Sequence, residues 1–162
     1  MHREPGDGTG PVVRNRRARH EFHIEDRIEV GLVLEGNEVK SIREGRANLV
    51  DAYARPEHGE LWLHGMHIAP YQAGNLHVES HPRRPRKLLA HRREIRRLTQ
   101  KVQERGYALV PLVLYFVRGR AKVELALAKG KKTHDKRQAL AERDAERDLQ
   151  RTLSERHRES DR

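Results

Sequence analysis

Apolar and polar residues alternate along residues 21–36, EFHIEDRIEVGLVLEG, and this pattern limits the fold more than any other feature of the chain. Even positions from Phe22 to Leu34 hold the apolar residues, with one break at Asp26. A period of two is that of a β-strand with one buried face. Gly36 ends the pattern, and the following NEVKSIREG predicts a short helix that stops at Gly45.

Four further segments have the composition of strands. ANLVDAYA and ELWLHGMHIA are joined by a polar turn at residues 56–59, while YALVPLVLYFV and AKVELALA flank Arg118, Gly119 and Arg120, which predict a hairpin. Between about residues 15 and 128 we therefore expect at least five short strands and two helices. Short strands without regular helix alternation favour a mainly β fold, a small antiparallel OB-like barrel with two or more helices. Such barrels commonly bind single strands and structured RNA.

One segment, HPRRPRKLLAHRREIRRLTQKVQERG, has helical rather than strand periodicity. Leu88, Ile95, Leu98 and Val102 recur at helical spacing before Gly106, which predicts a helix over residues 88–105. The opposite face carries cations, namely Arg92, Arg93, Arg96, Arg97 and Lys101. The pattern leaves open whether this face is only solvated or contacts RNA.

The charge of the chain is high and unevenly distributed. A formal net charge of +10 on 162 residues points to a polyanionic partner, of which nucleic acid is the commonest. Residues 21–80 carry eleven acidic and five basic groups, whereas residues 81–105 carry ten basic and two acidic groups. Basic segments flanking an acidic body favour docking on phosphate over a uniformly solvated surface.

Several classes of protein are disfavoured by composition. The chain has no cysteine, which removes disulfides, thiolate nucleophiles and cysteine metal sites. No apolar run approaches the roughly 20 residues of a membrane span, and MHREPGDGTGP lacks the apolar core of a signal peptide. We therefore expect a cytoplasmic protein with no membrane association, whose Gly- and Pro-rich residues 1–14 form a disordered extension.

No pattern requires catalysis or a cofactor. His64 and His67 are three residues apart in a strand-like segment, where they would face opposite sides, and no HExxH pattern occurs. AKGKKT lacks the first glycine of a phosphate-binding loop, and Lys132 stands where Ser or Thr would bind magnesium. We therefore expect a protein that is not an enzyme and holds no metal or cofactor.

Three stretches together resemble the SmpB family, the tmRNA-binding proteins of bacterial ribosome rescue. They are NRRARHEFHIEDRIEVGLVLEGNEVKSIREGRANL, RKLLAHRREI and KVELALAKGKKTHDKR, which cover roughly residues 15–137. The resemblance implies an OB-like barrel over residues 15–128 that holds the tRNA-like domain of tmRNA. It further implies delivery of tmRNA to ribosomes that stall without a stop codon, together with elongation factor Tu and GTP through alanyl-tmRNA. We expect the free protein to be a monomer.

The resemblance also implies which residues contact tmRNA. Family positions linked to tmRNA binding correspond to Glu29, Leu89 and Lys122. Glu29 lies opposite the apolar side of its strand and could equally be a plain solvent carboxylate; Leu89 could equally be core. Further candidates in the matching motifs are Asn15, Arg16, Arg17, His20, Glu38, Lys40, Arg43 and Asn48.

The last 34 residues can bury almost nothing, since residues 128–160 contain three leucines. They are expected to be disordered, or helical on binding, because opposite charges recur three residues apart and each pair contributes only about 0.2–0.5 kcal/mol. Gly130 offers a hinge. The resemblance implies that residues 129–162 fold on the ribosome, at the decoding centre and in the empty messenger channel. The expected contacts are Lys129, Lys131, Lys132, His134, Asp135, Lys136 and Arg137.

Three alternatives remain open from the residues alone. A generic OB-fold ribosome-associated protein or RNA chaperone would bind unrelated RNAs with similar affinity, whereas a rescue factor prefers the tRNA-like fold. A histidine-dependent ribonuclease would cleave labelled RNA in the presence of a chelator. The C-terminal tail could serve only as a solubilising segment.

Overall fold

The computed structural model describes residues 12–71, 81–104, 106–131 and 133–160, with the side chains of residues 137 and 140–156 in the last range. Nine strands and four helices lie in these ranges. The strands are β1 (Val13–Arg14), β2 (Phe22–Leu32), β3 (Ala47–Asn48), β4 (Tyr53–Glu57), β5 (Glu60–His64), β6 (His67–Ile68), β7 (Arg86–Leu89), β8 (Tyr107–Val117) and β9 (Arg120–Gly130). The helices are α1 (Ala18–Glu21), α2 (Gly36–Arg43), α3 (Arg92–Gln103) and α4 (Thr133–Ser160).

Six of the strands close into a ring in which every pairing is antiparallel. The order is β8-β4-β5-β7-β2-β9, and β9 pairs back to β8. β1 adds to β8 outside the ring, and β3 pairs with β6. The ring encloses a core that includes Leu61, Leu63, Leu114 and Leu125, each fully buried. The predicted small antiparallel barrel with helices is confirmed.

The break in the alternation of β2 is a β-bulge. The register with β9 shifts between Ile24 and Asp26, so the strand reverses the face to which its even residues point. Ile28 therefore packs against the barrel interior, whereas Phe22 and Ile24 pack on a second apolar cluster with Ala18 of α1. The alternating residues of β2 thus pack into two apolar clusters, because the bulge inserts a single residue and shifts the alternation to the other face.

Two hairpins turn through pairs of residues with positive φ. His58 (φ 49°) and Gly59 (φ 76°) join β4 to β5, and Arg118 (φ 49°) and Gly119 (φ 77°) join β8 to β9. Two consecutive residues in this region match the twist of a two-residue hairpin loop. The predicted hairpin between β8 and β9 is confirmed, while the turn predicted at residues 56–59 is shorter because β4 continues through Glu57.

The helix predicted over residues 88–105 is wrong at its N-terminal end. α3 begins at Arg92, and Leu88 belongs to β7, where it pairs with Leu61 of β5 and Leu32 of β2. The apolar stripe of α3 consists of Ile95 and Leu98, which are buried in the barrel core, and Val102, which is partly buried against it. Leu88 also lies in that core. Its helical spacing from Ile95 therefore arises because both residues are buried in the same core, although they belong to different elements.

The chain divides into two units after Gly130. β9 runs through Lys129 and Gly130, which pair with His23 and Phe22, so the barrel extends two residues beyond the predicted boundary at residue 128 and Gly130 is the last residue of a paired strand. At the other end Val13 and Arg14 form β1, which corrects the predicted disordered extension of residues 1–14, whose residues 1–11 lie outside the described ranges.

The second unit consists of helix α4, so the tail is helical rather than disordered in this structure. Its three leucines, Leu140, Leu149 and Leu153, remain 46%, 62% and 51% exposed. Within the described residues, no helix is both long enough and apolar enough to cross a membrane.

Candidate nucleic-acid interface

The barrel brings Leu89 and Lys122 to the two sides of a single glycine. Gly31 of β2 pairs with Leu89 of β7 on one side and with Lys122 of β9 on the other. Paired residues of neighbouring strands share a face of the sheet, so all three lie on the outer surface. A Cβ atom at Gly31 would come within 3.2 Å of the Cβ atom of Leu89. Leu89 is 53% exposed and is therefore a surface residue rather than part of the core.

Glu29 belongs to the same outer face, two residues before Gly31 on β2. Its carboxylate accepts a hydrogen bond from the hydroxyl of Tyr115 on β8. Tyr115 pairs with Lys122 and is 6% exposed. Burial of the phenol and its bond to the Glu29 carboxylate raise the pKa of Tyr115, so the hydroxyl remains a donor even at alkaline pH. The predicted residues Glu29, Leu89 and Lys122 thus meet on one surface, and Tyr115 fixes the carboxylate among them.

A second carboxylate lies directly across from Glu29. Glu124 of β9 pairs with Glu29, and Arg27 Nη1 donates to Glu124 Oε1 at 3.2 Å. The arginine neutralises the neighbouring carboxylate, whereas neither Glu29 nor Lys122 forms an ion pair with any residue that the structure describes.

A groove of about 860 Å³ begins at Leu89 and runs between β7, the β4–β5 turn and helix α3. Arg92 and Arg96 line its α3 side. Neither arginine forms an ion pair with any residue that the structure describes, whereas Arg97 of the same helix donates to Asp26 at 2.7 Å. This hydrogen bond is the main cause that lowers the pKa of Asp26. The arginine face of α3 is thus divided between a structural ion pair and cations that line the groove.

The N-terminal candidates separate into buried and exposed residues. Asn15 is buried, and its Nδ2 donates to the carbonyl oxygens of Pro111 (2.9 Å) and Leu49 (3.3 Å). Its amide therefore stabilises the barrel and is not available to RNA, contrary to its prediction as an RNA contact. Arg16 and Arg17 are exposed in the turn before α1, and His20 is half-buried within α1.

Glu38 is likewise a structural residue rather than a surface contact. Its carboxylate accepts hydrogen bonds from Arg86 at 2.6 Å, from Arg84, and from the backbone N–H of Glu35 at 2.9 Å. Arg86 is fully buried and also donates to the carbonyl oxygen of Met66 at 2.8 Å. Burial raises the pKa of Glu38, but the hydrogen bonds outweigh it and the net pKa is lowered. The prediction that Glu38 contacts tmRNA is corrected, because its acceptor atoms are engaged inside the protein.

The other candidates around α2 lie at the surface. Lys40 is exposed, with its Nζ 5.3 Å from the ring centre of Tyr71. Arg43 is exposed and covers the ring of Phe116 at 5.0 Å. The side chain of Asn48 accepts a hydrogen bond from the backbone N–H of Val50 at 2.8 Å, which shapes the turn after β3.

The tail candidates follow β9 directly. Lys129 lies in β9, with its Nζ 5.8 Å from the ring centre of Tyr107, so it belongs to the barrel and not to the tail. Lys131 follows β9 in the sequence and is half-buried, and Arg137 is exposed on α4. His134, Asp135 and Lys136 fall within α4, whose side chains are not described at these positions, and Lys132 lies outside the described residues.

The histidine of β5 is engaged within its own hairpin. His64 Nε2 lies 3.0 Å from Glu57 Oε1, and the imidazole stacks on Tyr53. Over the ranges that the structure covers, no group of three or more histidine and carboxylate side chains could hold a metal ion.

Comparison with known proteins decides the family. The SmpB family model, described as "SmpB protein", matches residues 12–155. The chain belongs to the SmpB family. It is 54% identical over 153 residues to an SsrA-binding protein of Thermobifida fusca, with 94% of this chain and 95% of that one covered. It is 56% identical over 153 residues to an SsrA-binding protein of Syntrophomonas wolfei, with 94% and 97% covered.

Among solved structures, the SmpB fold recurs in a chain from "tmRNA-SmpB: a journey to the center of the bacterial ribosome". The two chains share 50% sequence identity and a TM-score of 0.65 over 76% of this chain and 87% of that one. The three motifs in the sequence predict membership of the SmpB family, and this prediction is confirmed.

Two features of this SmpB surface lie beyond the motif-based prediction. Tyr115 stands in an apolar run of β8 and gives no sign that its hydroxyl reaches Glu29. Gly31 stands at a polar position in the alternation of β2, and a glycine inside a strand is the available indication of a close approach between neighbouring strands.

Proposed function

We propose that this chain binds the tRNA-like domain of tmRNA and delivers it to ribosomes stalled without a stop codon, as a binding protein of trans-translation. The observation that carries the proposal is that Glu29, Leu89 and Lys122 converge on one outer face of an SmpB-family barrel. A cation suits a phosphate, an exposed leucine suits an unstacked base or ribose, and a carboxylate accepts from a 2′-hydroxyl or a base amino group.

The finer parts of the proposal concern partners. Elongation factor Tu with GTP would join through alanyl-tmRNA, and helix α4 would occupy the empty messenger path near the decoding centre. The free protein would be a cytoplasmic monomer, and its role would involve no chemical step. The relatives named SsrA-binding protein and the solved tmRNA-SmpB chain support the binding role.

We expect Lys122→Ala and Glu29→Ala each to weaken binding to the tRNA-like domain without unfolding the barrel. The loss of a phosphate contact at Lys122 also lowers the slope of affinity against salt concentration by about one unit at most. Gel-shift titrations at several salt concentrations measure both effects. Arg147→Ala removes the same charge from the exposed face of α4 and is the matched control.

Two comparisons in the same assay separate the alternatives. A generic RNA-binding barrel would lose its bound tmRNA to an equal amount of bulk tRNA, whereas the proposed function requires tmRNA to be retained. Labelled RNA that shortens in the presence of a chelator would instead indicate a ribonuclease. Wild-type affinity and salt slope in Lys122→Ala would remove this residue from the interface.

We expect Tyr115→Phe to weaken tmRNA binding by about two- to tenfold, the equivalent of one hydrogen bond of about 0.5–1.5 kcal/mol. Without the hydroxyl the Glu29 carboxylate loses its fixed orientation, so Tyr115 acts as a positioning residue. In a double-mutant cycle, Tyr115→Phe should cost nothing further once Glu29 is alanine. Additive losses would show that Tyr115 acts independently of Glu29.

A further inference from the structure

Tyr53 on β4 is a large exposed side chain without an assigned role. Its neighbour Ala54 pairs with Leu63 inside the barrel core, so Tyr53 and its partner His64 point outward. The two rings stack with centroids 5.4 Å apart and planes 17° from parallel, yet Tyr53 remains 45% exposed. A cross-strand stack stabilises a hairpin through one face of each ring. It leaves the other face of Tyr53 open to solvent.

His64 is held so that the stack keeps its geometry. Its Nε2 lies 3.0 Å from Glu57 Oε1, and its side chain is 21% exposed. The carboxylate lies on the same hairpin and restrains rotation of the imidazole. The Tyr53 ring is therefore supported from below by an ordered aromatic side chain, as a platform for a stacked base requires.

Two exposed arginines flank this platform. Arg55 lies two residues along the same face of β4, with a side chain 66% exposed and 3.9 Å from its nearest carboxylate, Glu57. Arg83 Nη1 donates to the carbonyl oxygen of Gly65, the residue that follows His64. An exposed aromatic ring on a surface that also carries guanidinium groups complements a nucleotide, whose base stacks and whose phosphates carry negative charge.

The platform is remote from the face that holds Glu29 and Lys122. In the six-stranded ring, β4 lies three strands from β2 in either direction, and β5 lies three strands from β9. Tyr53 and His64 are therefore on the opposite side of the barrel. An RNA element bound to Glu29 and Lys122 would leave the platform free for a second element.

We propose that the Tyr53–His64 stack, flanked by Arg55 and Arg83, is a second RNA-binding site that takes an unpaired base on the open face of Tyr53. The site extends the proposed function and does not depend on Glu29 or Lys122. An unpaired base could come from tmRNA or from ribosomal RNA. The experiment therefore uses two probes, a transcript of the tRNA-like domain and 30S ribosomal subunits without messenger.

Filter binding of the full chain compares Tyr53→Ala and Tyr53→Phe with wild type on both probes. Loss of a base–aromatic stack weakens binding about five- to a hundredfold. We expect this loss for Tyr53→Ala on at least one probe, which identifies the source of the base, and near wild-type binding for Tyr53→Phe. The salt slope should be unchanged in both variants, since neither removes a charge.

Further variants provide a control and test the two arginines of the site. Leu149→Ala removes another exposed apolar side chain, 62% exposed in the wild type, from helix α4 and should bind the tRNA-like domain normally. Arg55→Ala and Arg83→Ala test the site without altering the ring, and each should lower the salt slope by about 0.7 for a single-stranded contact. Thermal melting by circular dichroism verifies that each variant folds.

Two results would overturn the proposal. One is wild-type binding of Tyr53→Ala to both probes; the other is an equal loss for Tyr53→Ala and Tyr53→Phe, which would mean a hydroxyl contact. Lys122→Ala in the same series separates this proposal from the proposed function. Suppose that Lys122→Ala no longer binds the tRNA-like domain while Tyr53→Ala binds both probes like wild type. The proposed tmRNA binding is then supported, and the proposal of a second site is wrong.

Discussion

Removal of residues 131–162 is expected to abolish peptide tagging on ribosomes that lack a stop codon, while leaving tmRNA binding and barrel stability essentially unchanged. The cut falls after Gly130 because β9 pairs with β2 and β8 through that residue. The three leucines of α4 are exposed, so their removal costs the barrel no described buried apolar contact. Ordering the tail costs about 1–2 kcal/mol per residue, which contacts outside the barrel must offset.

The experiment compares the full chain and the truncated chain in three measurements: thermal melting, gel shift with tmRNA, and peptide tagging on stalled ribosomes. A second variant changes Lys131, Lys132, Lys136 and Arg137 to alanine and keeps the length of the tail. We expect it to tag poorly because ribosomal phosphate loses its cations. Tagging by the truncated chain at the wild-type rate would show that the tail is only a solubilising segment.

Glu38→Ala is expected to lower the free energy of unfolding by about 3–5 kcal/mol, because it leaves the buried Arg86 guanidinium without its carboxylate. Arg86 keeps only carbonyl partners in that variant, at Met66 (2.8 Å) and Pro82 (3.0 Å). Urea denaturation monitored by circular dichroism measures the loss. Glu60→Ala breaks an exposed pair with Lys87 and should cost at most about 1 kcal/mol.

The same carboxylate predicts how stability changes with pH. The folded-state pKa of Glu38 lies below its ordinary value of 4.5, so its contribution is present above that pH and is lost as pH falls through the lowered pKa. Glu38→Gln should therefore flatten the acid limb of the stability curve. If Glu38→Ala fails to fold, the stability of Glu38→Gln still measures the contribution of the ion pair between Glu38 and Arg86. Variants as stable as wild type at neutral pH would mean that Arg86 needs no carboxylate partner.

The barrel could be predicted from the sequence because its strands alternate regularly and its hairpins carry turn residues. The residues around Arg118 and Gly119 place a turn between β8 and β9 by local geometry alone, and the structure has it there. The start of α3 could not be found in this way. Strand β7 contains a buried arginine, and burial of Arg86 depends on Glu38, which is 48 residues away in the sequence.

In the candidate site too, the local sequence predicts which way single residues face, whereas their proximity depends on strands that are far apart in the chain. Glu29 and Lys122 could be placed on outer faces from the alternation of their own strands. Their meeting with Leu89 depends on the register of three strands at Gly31, which no single segment encodes. Asn15 and Glu38 were assigned to RNA because polar residues in a shared motif look alike, whether their partner is RNA or a carbonyl oxygen inside the barrel.

The double pairing of β9 has a mechanical consequence. The strand is hydrogen-bonded to β2 on one edge and to β8 on the other, and the chain passes from its last residue, Gly130, toward helix α4. A force applied at Gly130 along the axis of β9 would load both hydrogen-bond ladders in shear, so many bonds would share that force at once.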